Sequence, residues 1–154
     1  NLYGSWAGAH GNFQFMPSSI NNYAIDYDKD GQIDLVNSLE DSFASAANYL
    51  KTIGWNEKIS WGYRAISADK IDNSLVTIDA RKLKKTLSKN DLINNKISIK
   101  NNKKVKGNYK LIRPDGKDGP IFLVTTNYEK LLNWNRSLRF AITVGLFADL
   151  LKNA

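Results

Sequence analysis

The residues best suited to chemistry in this sequence form an acidic loop at 26–34. Carboxylates occupy loop positions 1, 3, 5 and 9, with Gly31 at position 6 and Ile33 at position 8. Oxygen ligands in this register are typical of an EF-hand loop, in which a glycine allows the sharp turn between ligands. The pattern therefore predicts a calcium site, although an acidic turn without an ion has the same residue types.

The ligands of this predicted site come from the loop and from the residues after it. The loop offers three side chains and one backbone carbonyl, namely Asp26, Asp28, Asp30 and, by its carbonyl, Gln32. Position 12, where the EF-hand pattern has glutamate, is Asn37. We therefore expect a longer loop, closed by Glu40 or by Asp41 from the next helix.

A second candidate site is the segment 4–19, in which three glycines and two alanines fall within eight residues. Gln14 follows, between Phe13 and Phe15. Small residues let a backbone approach a ligand closely, and polar groups among aromatic rings line binding clefts. A loop packed beneath a helix has the same composition, so the residues alone favour neither interpretation.

The elements that position these residues are helices at both ends of the chain and short strands between them. Hydrophobic periodicity and capping residues predict helices over 17–25, 40–53, 79–87, 127–133 and 138–152. Runs of β-branched and aromatic residues predict strands over 63–66, 97–99, 109–112 and 121–124. The apolar stripe of the second helix is predicted to be Phe43, Ala46, Ala47, Leu50 and Ile53. The packed face of the last helix is predicted to be Ala141, Val144, Gly145, Ala148 and Leu151.

The composition excludes several classes of protein. Without cysteine there are no disulfides, thiolate metal sites or cysteine nucleophiles. No apolar run is long enough to span a membrane and no signal peptide opens the chain, so membrane attachment would need an anchor outside it. Because the chain lacks an initiating methionine, we expect a piece of a longer protein. The net charge of +7 favours polyanions, but no nucleic-acid module is visible, so no nucleic-acid partner is predicted.

Three blocks of sequence, taken together, point to one family. The first is GSWAGAHG at 4–11 with QFMPSS at 14–19. The second is the acidic loop running into DSFASAANYL at 41–50 and then Gly54-Trp55. The third is GPIFLV at 119–124, WNRS at 134–137 and VGLFAD at 144–149. In order and spacing these blocks resemble the lytic murein transglycosylases of the membrane-bound B type.

The resemblance implies a lysozyme-like α+β fold, mostly helical, with a small β-containing insert and an EF-hand-like calcium loop. The whole chain, 1–154, would be part of one catalytic domain, with a helical part at 1–55 that holds the calcium loop, the insert at 56–126 and a C-terminal helical part at 127–154. The implied reaction cleaves the β-1,4 bond between N-acetylmuramic acid and N-acetylglucosamine in peptidoglycan. A glutamic acid protonates the leaving oxygen, and the muramyl 6-hydroxyl then attacks to leave a 1,6-anhydro sugar.

The catalytic glutamate of the resembled family precedes the GSWAGAHG block. The glutamates of this chain are Glu40, Glu57 and Glu129, and none stands in that motif. We therefore expect no catalytic acid here and no cleavage by this chain alone. Ser5 matches the serine that supports the catalytic carboxyl.

Other site residues are carried over from the same resemblance. Substrate contacts are assigned to Gln14, Tyr49, Trp134, Asn135 and Phe140. Trp134 and Phe140 stand where some members have tyrosine, which leaves stacking surface without a hydroxyl. Calcium ligands are assigned to Asp26, Asp28, Asp30, Gln32 by its carbonyl, and Asp41, with Glu40 as the alternative to Asp41.

The resemblance also implies partners and a location. The partner is the peptidoglycan glycan strand, with a companion N-terminal fragment of the same protein as a further candidate. The location is the periplasm or cell envelope of a Gram-negative bacterium. Two other functions fit the residues: a non-catalytic peptidoglycan-binding module and a calcium-stabilised interaction module. A glutamate-bearing helix encoded upstream would favour the enzyme, and calcium titration would test the interaction module.

Overall fold

The computed structural model describes residues 4–100 and 108–154, which divide into two compact units, Asn1–Trp55 and Asn56–Ala154. The organisation into one domain with parts at 1–55, 56–126 and 127–154 stays a prediction. None of the helices in the described ranges has both the length and the apolarity needed to span a bilayer.

The first unit contains two helices, α1 (Pro17–Tyr23) and α2 (Leu39–Thr52). Proline suits the first position of α1 because its missing N–H has no helical partner there. The Ser38 hydroxyl caps α2 by accepting from the Asp41 amide at 3.1 Å. Gly54, at a φ of 92°, follows the end of α2 in a conformation that glycine adopts without strain. Both predicted helices are confirmed, with α1 ending two residues early.

The most buried face of α2 is largely polar, which corrects the predicted apolar stripe, of which Ala46, Leu50 and Ile53 are half-buried. Phe43 is 60% exposed and Ala47 is also exposed. The buried residues of the helix are Asp41, Ser42, Ser45 and Tyr49. The cause is hydrogen bonding to the backbone that precedes the helix, because Ser42 Oγ donates to the Leu35 carbonyl and Ser45 Oγ accepts from the Ile25 amide, each at 3.0 Å. These short side chains join α2 to the loop before it.

The second unit is built on a five-stranded mixed sheet. Its strands are β1 (Gly62–Ser67), β2 (Val76–Thr77), β3 (Ile97–Ile99), β4 (Lys110–Ile112) and β5 (Ile121–Val124), in the spatial order β2-β4-β5-β1-β3. β2 and β4 are parallel, and the other pairs are antiparallel. In β1, which lies between β3 and β5, Ala65 pairs with Ile99 on one side and Ile121 on the other. The four predicted strands are confirmed, and the two-residue β2 was not predicted.

The helix predicted over 79–87 is wrong, and the helix of this region is α3 (Lys89–Asn94). Asp79 Oδ1 accepts from the Arg81 amide at 2.9 Å, which makes a turn instead of a helix start. The Lys84 amide then donates to Thr77 Oγ1 at 2.8 Å, so this backbone is committed to a tertiary contact. Sequence periodicity cannot detect such a competing partner.

Two further helices, α4 (Thr126–Trp134) and α5 (Leu138–Lys152), complete the second unit and confirm the predicted pair. Ser137 Oγ caps α5 by accepting from the Phe140 amide at 3.3 Å. Its buried face is Leu138, Ala141, Ile142 and Gly145, whereas Val144, Ala148 and Leu151 are exposed, which corrects the predicted face. Gly145 is required because an added Cβ would overlap the Trp61 indole.

Candidate functional site

The acidic loop and the first turn of α2 bring three carboxylates together. Asp26, Asp28 and Asp41 each place a carboxylate oxygen within 4.8 Å of the others. Asp41 is buried and Asp28 is exposed, so the cluster opens to solvent on one side. Three hard oxygen ligands at this separation can contact one divalent cation.

The loop holds its shape through hydrogen bonds from its own backbone. Asp26 accepts from the Lys29 amide at 2.6 Å and from the Gly31 amide at 2.9 Å. Lys29 and Gly31 both have positive φ, of 64° and 91°, which folds the chain back over Asp26. The turn therefore holds the Asp26 carboxylate against the backbone of the loop.

Asp41 ties the loop to α2. Its two carboxylate oxygens accept from the Tyr27 amide at 2.7 Å and from the Asp34 amide at 2.9 Å. These N–H donors hold the pKa of Asp41 below its ordinary value because they stabilise the charged form. Asp41 is therefore a carboxylate at neutral pH.

Asp28 has the opposite electrostatic setting. The hydrogen bond from the Asp30 amide alone would lower its pKa. Desolvation and the carboxylates of Asp30, Asp41 and Asp26 outweigh that bond and raise the pKa of Asp28. A divalent cation would remove this repulsion, so the donor set fits calcium.

The predicted calcium ligands fall into two groups. Asp26, Asp28 and Asp41 form the cluster, whereas Glu40 is exposed and lies outside it. Asp30 also lies outside it and accepts from the Gln32 amide at 2.8 Å. The roles of Asp30 and of the Gln32 carbonyl stay predictions.

The loop of small residues closes on itself between Ser5 and Ala9. The Ser5 amide donates to the Ala9 carbonyl at 2.8 Å, and the Ala9 amide donates back to Ser5 Oγ at 3.0 Å. Gly8, at a φ of 82°, makes the turn between them. Because Ser5 Oγ accepts a hydrogen bond, its O–H proton is left to donate to another group, such as a carboxyl.

Gln14 lies at the tip of a short hairpin. His10 and Phe15 exchange two backbone hydrogen bonds, at 2.9 and 2.8 Å. Gln14 is exposed with a φ of 52°, and its Nε2 donates to the Gly11 carbonyl at 2.9 Å. The exposed Gln14 side chain is therefore held to the hairpin backbone through its Nε2.

Tyr49 lies beneath this hairpin, in the core of the first unit. Its ring meets Phe15 edge-on, with centroids 6.2 Å apart, and Tyr23 at 4.9 Å. It is 9% exposed, and burial raises the pKa of its hydroxyl. The structure thus places Tyr49 against Phe15, which follows Gln14 directly in the chain.

Asn12 is a connecting residue that sequence reasoning missed. Its Nδ2 donates to the Val36 carbonyl at 3.0 Å and to Ser42 Oγ at 3.1 Å. Its amide donates to the Leu35 carbonyl at 2.8 Å. Asn12 therefore fixes the small-residue segment to the end of the acidic loop and to α2. An asparagine beside Gly11 was the available signal, but it indicates only a turn.

In the second unit the predicted substrate residues surround the turn between α4 and α5. Trp134 ends α4 and is half-buried, and Phe140 is 38% exposed in the first turn of α5. Asn135 caps α4: its amide donates to the Leu131 carbonyl at 3.1 Å, and its carbonyl accepts from the Ser137 amide at 2.8 Å. Asn135 is exposed, so its side-chain amide is available to a ligand.

Two buried polar side chains, neither predicted from the sequence, support this turn. Tyr128 is fully buried, its hydroxyl donates to the Leu138 carbonyl at 2.8 Å, and burial raises its pKa. Asn127 is also fully buried and bonds three backbone groups of Asn56 and Ile59, at 2.8–2.9 Å. These bonds fix the start of α4 to the chain that enters the sheet.

Helices with a small mixed sheet, arranged as in these two units, are the lysozyme-like fold of the lytic transglycosylases. The chain belongs to the family described as the transglycosylase SLT domain, whose model matches residues 1–149. The predicted family and the helical fold with a small sheet are thereby confirmed.

Individual relatives agree with this assignment. Over 55 residues the chain is 53% identical to the membrane-bound lytic murein transglycosylase B of Escherichia coli K12, a match that covers 36% of this chain and 15% of that protein. SltB3 of Pseudomonas aeruginosa, solved in complex with NAG-anhNAM-pentapeptide, is 35% identical with a TM-score of 0.84, over 98% of this chain and 40% of that one. Slt35 of E. coli, solved in complex with calcium, is 28% identical with a TM-score of 0.77, over 100% of this chain and 48% of that one. The chain thus spans less than half the length of these relatives.

Proposed function

We propose that this chain is part of a peptidoglycan lytic transglycosylase of a Gram-negative cell envelope. The enzyme cleaves the β-1,4 bond between N-acetylmuramic acid and N-acetylglucosamine and leaves a 1,6-anhydromuramyl end. Membership of the transglycosylase family supports this, as does a relative solved with an anhydro-sugar ligand. The observation that carries it is the Ser5–Ala9 turn, which leaves one serine proton free for a carboxyl.

The substrate contacts we propose are exposed amides and rings. In the first unit Gln14 offers its side-chain carbonyl, and Tyr49 holds Phe15 beneath it. In the second unit Asn135 offers an exposed amide, and Trp134 and Phe140 offer ring surface. Sugar rings stack on such surfaces, while amides select their hydroxyls and acetamido groups.

We propose further that the proton donor comes from outside this chain. A single carboxylic acid that serves this reaction must be kept partly protonated by an apolar setting. Glu40 and Glu57 are exposed, and Glu129 pairs with Lys110 Nζ at 3.1 Å. None of the three has the required surroundings.

The proposal is tested by digesting purified peptidoglycan with this chain and, in parallel, with the whole gene-encoded protein. Mass spectrometry separates the products, because an anhydro end is lighter than a hydrolysed end by one water. We expect anhydro products from the whole protein and none from this chain alone. Lytic activity of this chain would contradict the assignment of the acid, and hydrolysed ends from the whole protein would contradict the reaction.

A calcium-stabilised module is the second function that an observation favours. We propose that Asp26, Asp28 and Asp41, with Asp30 and the Gln32 carbonyl, bind one calcium ion that holds the loop against α2. The carboxylate cluster and the calcium complex of a relative support this. Calcium should raise the melting temperature of the chain more than magnesium does, and Asp28→Asn should abolish the difference. Equal effects of the two ions in both proteins would contradict a selective site.

A further inference from the structure

A positively charged groove lies in the second unit, away from every residue assigned above. It encloses about 540 Å³ where β1 ends and β5 begins. Among the described residues, five cationic side chains line it: Arg64, Lys70, Lys100, Arg113 and Lys117. Two acidic side chains, Asp69 and Asp118, also line it, which leaves an excess of three positive charges. The volume is in the range of sites for small ligands.

One of the two acidic residues is already neutralised from outside the groove. Asp69 Oδ2 forms an ion pair with Lys96 Nζ at 2.9 Å, and Lys96 does not line the groove. Asp69 therefore offsets little of the positive field. A concave surface with charges of one sign raises the local concentration of oppositely charged ligands.

Arg113 gives the groove an unused donor. Its Nε is buried and has no hydrogen-bond partner within the described ranges. Leaving a buried N–H unpaired costs free energy, which an acceptor that reaches this atom would recover. The planar guanidinium fork suits a carboxylate, with which it can form two parallel hydrogen bonds.

The uncharged residues of the lining restrict the class of ligand further. Apolar groups lie between the cations: Ala65, Ile66, Ile71, Pro120 and Ile121. Proteins that bind single-stranded nucleic acid stack its bases on aromatic side chains. None of the described residues that line this groove is aromatic. Anionic groups separated by small apolar groups match this surface better than stacked bases do.

We propose that this groove binds a short peptide that carries at least two carboxylates and small apolar side chains. Arg113 takes one carboxylate through its guanidinium group, and Lys100 and Lys117 take another. The small side chains lie against Ile66 and Pro120. None of these residues is among the glycan contacts proposed above.

Isothermal titration with the tetrapeptide Ala-Glu-Ala-Glu tests the proposal. We expect saturable binding that weakens as salt is raised, because screening acts on exposed charges. Arg113→Gln and Lys100→Gln should each weaken binding about tenfold, the effect of losing one charge-assisted hydrogen bond. Asp118→Asn should strengthen it. Lys152→Gln, which removes the same charge outside the groove, is the matched control and should change nothing.

Several outcomes would overturn the proposal. One is no detectable binding, and another is that Ala-Gln-Ala-Gln binds as tightly as Ala-Glu-Ala-Glu. A third is an equal loss of affinity in Lys152→Gln and Lys100→Gln. If a single-stranded oligonucleotide competed more strongly for the same residues, the ligand of the groove would be nucleic acid and not a peptide. Thermal melting checks each variant, and the exposed Lys100 keeps the test decisive if Arg113→Gln does not fold. Because the probe contains no sugar, its result is independent of the glycan-cleavage proposal.

Discussion

Ser5 is the residue whose chemistry is most restricted by its surroundings. The Ala9 amide occupies one of the two acceptor positions of its hydroxyl oxygen, and its O–H can still donate to a ligand. A donor at this position can hold a carboxyl in one orientation and stabilise its charged form. Ser5 should therefore contribute to catalysis by positioning the carboxyl.

In the whole enzyme, Ser5→Ala should lower kcat about tenfold and leave KM nearly unchanged, since the lost hydrogen bond orients the acid and does not hold the sugar. Turnover of soluble peptidoglycan fragments measures both constants. Ser18→Ala, an exposed serine in α1, is the matched control. The alkaline limb of the kcat profile, along which the proton donor loses its proton, should also move to higher pH in Ser5→Ala, because the lost hydrogen bond stabilises the charged form. A pure rise in KM would mean that Ser5 binds substrate instead.

Asn127 is a buried polar side chain whose hydrogen bonds should contribute to the free energy of unfolding. Asn127→Ala should lower the free energy of unfolding by about 3 kcal/mol, because it leaves the Asn56 amide and the Asn56 and Ile59 carbonyls unpaired. Urea denaturation measures the loss. Asn133→Ala, on the same helix but exposed, should change stability by less than about 0.5 kcal/mol. Similar losses in both variants would show that helix propensity, and not the buried bonds, decides the effect.

At the scale of elements, α3 depends on a capping box. Ser88 Oγ accepts from the Asp91 amide at 3.2 Å, and Asp91 Oδ2 accepts from the Ser88 amide at 2.8 Å and from its hydroxyl at 2.7 Å. The hydrogen bonds from the Ser88 side chain and backbone lower the pKa of Asp91. A lowered pKa means that folding favours the carboxylate, so the stabilisation is present above the unfolded value of 3.8 and is lost as pH falls through the folded value.

The capping box therefore predicts a pH dependence. Below about pH 4 the free energy of unfolding of the wild type should fall more steeply with pH than that of Asp91→Asn. The difference between the two slopes should correspond to at most about one bound proton. At neutral pH the variant should be the less stable of the two. Ser88→Ala removes one donor and should bring the Asp91 pKa, read by NMR titration, closer to its ordinary value. The prediction would be contradicted if stability fell with the same slope at low pH in the wild type, Asp91→Asn and Ser88→Ala.

Elements with a local cause were predictable from the sequence. β3 and β5 have the predicted bounds because β-branched runs end at turn residues, and α5 begins where Ser137 can cap it. The buried face of α2 was not predictable, because Ser42 and Ser45 are buried to bond distant loop backbone. Hydropathy ranks such residues as exposed.

The candidate site was predictable to a similar extent. Asp26 and Asp28 lie in one local motif, so their convergence follows from the sequence. The choice between Glu40 and Asp41 could not be made, because both lie in the first turn of α2. The choice depends on where the helix starts: the Ser38 cap sets the phase of α2 and turns Asp41 toward the loop.

At the scale of the whole molecule, the two units carry different chemistry. The first unit holds the acidic cluster and the Ser5 turn, and the second holds the sheet, the α4–α5 turn and the basic groove. Family resemblance predicts the fold class for the chain as a whole. The basic groove was not predicted, because strand pairing brings its cations together from positions as distant in sequence as Arg64 and Lys117.

The separation of these sites predicts a local response to calcium. An ion bound by Asp26, Asp28 and Asp41 stabilises only conformations in which the loop is closed, so it should slow amide exchange of Tyr27 and Asp34, whose N–H groups donate to Asp41. Amides of β1 and β5 in the second unit should exchange at unchanged rates. Hydrogen exchange followed by NMR, with and without calcium, measures both sets. Asp41→Asn should remove the calcium effect, and Asp115→Asn, an exposed change in the second unit, should retain it. Equal protection of both units by calcium would contradict a site confined to the acidic loop.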